Sequence, residues 1–86
     1  MTTVLAPASV RQQVLRIIGR HTPVRRRLRL NLDLARELYM DLLDTVDTIL
    51  ELESRFRITI PDEVPFVTVG DFVAYVAAET RRFKRR

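Results

Sequence analysis

Residues 41–56 read Asp41-Leu42-Leu43-Asp44-Thr45-Val46-Asp47-Thr48-Ile49-Leu50-Glu51-Leu52-Glu53-Ser54-Arg55-Phe56. Asp41 carries a carboxylate suited to capping a helix start, and Asp44, three residues later, adds a second acid where the helix end is positive. Leu42, Leu43, Val46, Ile49, Leu50, Leu52 and Phe56 recur at helical intervals, with Asp44, Asp47 and Glu51 towards the other side. The spacing predicts an amphipathic helix with an acidic outer face, starting at Asp41 and ending near Phe56.

Working outward, Ser9 and Gln12 have the spacing of a capping box, followed by Val10, Val14, Ile17 and Ile18 on one stripe. Gly19 weakens the last turn of that helix and Pro23 stops it, so it ends near His21. From Val24 to Met40 the arginines Arg25 to Arg27 give way to Leu28, Leu30, Leu32 and Leu34 alternating with polar residues. Alternation by itself signals a strand. A lone strand in a helical chain lacks a partner, so the stretch is expected to be a long loop that drops leucines onto the helices, closed by Leu38 and Met40. Beyond Phe56, Ile58 to Pro61 should be extended, and Pro65 limits Asp62 to Val67 to one helical turn at most. Thr68 and Asp71 form another capping pair ahead of Val69, Phe72, Val73, Val76 and Ala77. The fold class is therefore all-α, and the chain is expected to be one domain over 1–86. Its core is expected over about residues 9–80, with a basic tail 81–86.

Composition narrows the function. At 47% hydrophobic and 30% charged residues, the chain suits a folded domain and not a disordered one. It has no cysteine, which rules out disulfides, thiolate metal sites and cysteine nucleophiles and fits a reducing cytoplasm. Its apolar runs are far shorter than the roughly 20 residues of a membrane span, and no basic region followed by an apolar stretch opens it. His21 is the one histidine, and the acids lack the glycine-containing loop of a calcium site, so neither a metal site nor catalytic residues are expected. Charge is segregated. Between Asp33 and Glu63 stand nine acids and three arginines; the rest carries twelve bases and two acids. The acidic middle suggests a basic protein partner, and the basic ends suggest an anionic one.

The order Asp41-Leu42-Leu43-Asp44-Thr45-Val46-Asp47, Glu51-Leu52-Glu53, Phe56, Ile58-Thr59-Ile60-Pro61-Asp62-Glu63 and Thr68-Val69-Gly70-Asp71 resembles the acyl carrier protein family across roughly Ser9 to Ala78. The resemblance implies a small four-helix-type bundle with a long first loop and a short or degenerate third helix. It places the serine that bears the 4′-phosphopantetheine arm at position 42, where this chain has Leu42. Leucine has no hydroxyl, so no cofactor is carried as the chain is written. The resemblance further implies a monomer, not an enzyme, that docks to basic patches on fatty-acid or polyketide enzymes. The docking residues would be Asp41, Leu43, Asp44, Val46, Asp47, Leu50 and Glu51.

Two explanations fit Leu42: a naturally serine-less docking protein, or a genuine carrier locked in its apo form by replacement of the serine. A rival of another class is a basic adaptor that binds membrane or nucleic acid through its arginines. Aromatics for base stacking are sparse among those charges, so sequence-specific nucleic-acid recognition is not expected.

Overall fold

The computed structural model describes residues 9–84, with helix α1 at Val10–His21, α2 at Leu42–Phe56 and α3 at Val69–Lys84. Arg85 and Arg86 of the basic tail lie outside the described residues, as do residues 1–8. Each helix begins as its capping signal predicts. Ser9 accepts from the Gln12 amide at 3.1 Å while Gln12 accepts from the Ser9 amide at 3.3 Å. The α1 stripe then buries Val14, Ile17 and Ile18, and α1 packs against both α2 and α3.

The 24–40 segment corrects one premise. Leu32 and Leu34 are buried and Leu28 packs partly against the core, while Leu30 is exposed, and the stretch also finds a partner. Asp33 and Thr68 form an isolated antiparallel bridge, flanked by Leu34 N–H to Val67 O at 2.9 Å and Val69 N–H to Leu32 O at 3.0 Å. The partner is the residue run leading into α3, which no reading of 24–40 alone discloses. Gly70 allows a close approach here. Its amide donates to Leu30 O at 2.8 Å, and a Cβ at this position would meet that same oxygen at 3.0 Å. Asp33 then turns the chain, its Oδ1 accepting from the amides of Ala35 and Arg36. Leu38 and Met40 are buried and anchor the entry to α2.

After α2, Arg57 caps the helix with a left-handed backbone, and the Glu53 carboxylate accepts from the Ile60 amide at 2.7 Å. That bond and the burial of Ile58 and Ile60 hold the extended stretch against the core. The third helix of the bundle is reduced to a turn at Asp62 and Glu63, as Pro65 dictates. Phe66 then stacks on Phe72 with ring centroids 4.2 Å apart and meets Tyr75 edge-on at 5.7 Å. Helix α3 buries Val69, Phe72 and Val76 and continues through Arg81 and Arg82, so the basic tail begins as helix.

Candidate functional site

The first turn of α2 is built by its own acids. Asp41 Oδ1 accepts from the Asp44 amide at 2.8 Å, and Asp44 Oδ2 accepts from the Asp41 amide at 3.2 Å. This closed box leaves Leu42 as the first helical residue, beside the amides that have no partner within a helix. Leu42 is 79% exposed. Its side chain is the most prominent apolar group on the described surface, at the position where the family resemblance expects an attachment serine.

Attachment of a phosphopantetheine arm needs a hydroxyl, and the neighbouring hydroxyls are engaged, buried or distant. Thr45 Oγ1 donates to Asp41 O at 3.0 Å and is half-buried. Thr48 Oγ1 is fully buried and donates to Asp44 O at 2.8 Å. Ser54 is exposed, but it lies near the far end of α2 from Leu42. Leu42 itself offers the covalent group no hydroxyl.

The faces of α2 depart from the simple amphipathic reading. The apolar arc splits in two. Leu52 is buried, with Ile49 and Phe56 partly so, whereas Leu42, Leu43, Val46 and Leu50 stand exposed, Leu43 at 66% and Leu50 at 56%. At about 100° per residue, Leu42, Val46 and Leu50 form one ridge four residues apart, turned well away from the Thr48 and Leu52 row. The outward face is thus an apolar ridge with Asp47 beside it, not a purely acidic one.

The acids divide likewise. Asp41 and Asp47 are exposed and Asp44 is half-buried. Glu51, expected on the outer side, faces α1: its carboxylate pairs with Arg20, and its Oε1 lies 2.7 Å from His21 Nε2. Arg55 continues this seam by donating to Gln13 Oε1 at 3.2 Å. Glu51 is therefore committed to joining α1 to α2, and the pattern within α2 could not show this because its two partners come from another helix.

One exposed residue was not singled out from the sequence. Tyr39, just before the helix start, is 67% exposed and has a left-handed backbone with φ of 54°. Tyrosine has no particular preference for that conformation, so the sequence carries no signal for it. It follows Leu38 and precedes Met40, both buried, and the reversal lets those two side chains reach the core while the ring stays outside.

Among the described residues, no helix is long and apolar enough to cross a membrane, and no group of three or more His, Cys, Asp or Glu residues could hold a metal ion. No family model matches the sequence. A solved structure from Mycobacterium tuberculosis, provisionally assigned as an acyl carrier protein, is similar to the chain. It has 30% sequence identity and a TM-score of 0.76, covering 83% of this chain and 99% of that one.

Proposed function

The chain belongs to the acyl carrier protein family, and on that footing we propose that it docks to enzymes of fatty-acid or polyketide-type metabolism without carrying 4′-phosphopantetheine. The observation that supports this reading is the 79% exposed Leu42, a side chain without a nucleophile at the first residue of α2. The reading treats the chain as one monomeric domain over 1–86 and assigns it no catalysis. Leu42, Leu43, Val46 and Leu50 supply an apolar ridge, with Asp47 beside it and the capping-box carboxylates of Asp41 and Asp44 at the start of the helix. Such a surface suits an apolar pocket rimmed by lysine or arginine, where charge steers the encounter and burial of the aliphatics holds it. Glu51, paired with Arg20 and His21 of α1, holds the helix that carries this face in place and offers it no free charge.

The same exposure favours a second reading, in which the chain is a genuine carrier locked in its apo form, because a surface serine can be exchanged for leucine with little effect on folding. Docking is tested by titrating the protein against carrier-dependent condensing and reducing enzymes. Asp47→Lys and Leu50→Ser should each weaken binding by about tenfold, and replacing Arg26 with glutamine should not. Binding that ignores Asp47→Lys and disappears with the arginines overturns the reading in favour of the anion-binding adaptor.

A further inference from the structure

The first acid in the sequence is Asp33, so the described residues before it carry seven arginines, from Arg11 to Arg29, and no carboxylate side chain. Among the described residues, Arg20 alone of the seven has a carboxylate partner, Glu51. Uncompensated like charges at this density oppose compaction, and they attract anions. The charge is also shaped. Arg11, Arg27 and Arg29 border a cleft of about 570 Å³ between the first turn of α1 and the segment entering the long loop, with half-buried Leu15 and Leu28 in its lining. Ser9 and Gln12, also at its edge, accept through their side-chain oxygens in the capping box, and the arginines supply the charged donors there.

We propose that this cleft binds a small organic phosphate, with the phosphate on the guanidiniums of Arg11, Arg27 and Arg29 and the apolar part of the molecule over Leu15 and Leu28. Guanidinium presents a planar fork of N–H donors that matches phosphate oxygens in pairs, and three such forks around one concavity favour a phosphoryl group over a lone carboxylate. The positive end of α1 adds to the field in the same place. None of these residues belongs to the apolar ridge of α2, so a ligand here leaves the proposed docking face open. Its binding also offsets the arginine repulsion and stabilises the folded chain.

The phosphate can come from a soluble ester or from a lipid headgroup, and two probes separate them. The full chain is titrated with ATP, followed by amide chemical shifts, and mixed with phosphatidylglycerol vesicles against phosphatidylcholine controls. Saturable ATP binding centred on residues 9–12 and 27–29, weakened at least about tenfold by Arg27→Gln combined with Arg29→Gln, supports a soluble ester. Retention on phosphatidylglycerol vesicles with the same sensitivity, and no ATP binding, supports a headgroup. Both arginines are exposed, so the double variant should keep the helical spectrum of the parent. Arg16→Gln is the control, because Arg16 borders a different groove with Arg20 and Arg55. If it weakens binding as much as the double variant does, or if neither probe binds at millimolar concentration, the site is overturned.

Discussion

Helices α2 and α3 start with the same device and put it to opposite uses. Asp41 and Asp44 close one capping box, Thr68 and Asp71 the other, and in each the first helical residue is a branched aliphatic. Val69 at the start of α3 is fully buried, whereas Leu42 at the start of α2 is 79% exposed. The difference comes from what lies against each turn. The α3 start is covered by backbone from 30–34, which accepts from Val69 and Gly70 and donates to Val67. The α2 start follows the buried Leu38 and Met40, and its first two residues, Leu42 and Leu43, stand exposed. A capping motif thus fixes where a helix begins, and tertiary contacts decide whether that beginning is structure or surface.

The contrast breaks most visibly at its buried member. Val69→Ser removes two methyl groups from a filled site and leaves a hydroxyl to be satisfied there, and it should cost about 2–4 kcal/mol in denaturant unfolding. A cost below about 1 kcal/mol would mean that the α3 start is not packed as described.

A middle-sized effect belongs to Asp71. Its carboxylate accepts from the amides of Thr68 at 2.9 Å and Val67 at 2.8 Å, and these bonds hold its pKa below the ordinary 3.8 despite the opposing effect of burial. A group whose folded pKa is depressed contributes stability above its unfolded pKa and loses it as pH falls through the folded one. The difference in stability between the parent and Asp71→Asn should therefore be full near neutrality, about 1–2 kcal/mol, and should shrink below about pH 4. A difference that stays constant from neutral to acid pH would show that the charge plays no part.

The smallest effect is expected at the exposed member. Leu42→Ser should change unfolding stability by less than about 1 kcal/mol, since a surface aliphatic has little burial to lose. A loss above about 2 kcal/mol would place the leucine in the core and erase the contrast between the two helix starts.

Much of this architecture is legible in short-range chemistry. Ser9 with Gln12, Asp41 with Asp44, and Thr68 with Asp71 each announce a helix start through residues three apart, and Pro23 and Pro65 announce where helices cannot run. Those signals are local, so a sequence displays them directly. The faces of α2 are less legible because the helix is apolar on two sides. Periodicity puts Leu42 and Leu52 on different rows, but it does not say which row faces solvent and which is buried; the packing of α1 and α3 decides that. Glu51 and the pairing of 32–34 with 67–69 fail to show for the same reason, since both depend on residues distant in the chain. At the candidate site, the family resemblance puts the attachment serine at position 42, and Leu42 is exposed there.

In the proposed function Leu42 is an exposed residue standing in for an attachment serine, and intact mass tests this most directly. The parent and Leu42→Ser proteins are each incubated with coenzyme A and a broad-specificity phosphopantetheinyl transferase. The parent mass should stay unchanged, while Leu42→Ser should gain the mass of one phosphopantetheine arm. A gain in the parent would contradict the account, because another residue would then be serving as the attachment point.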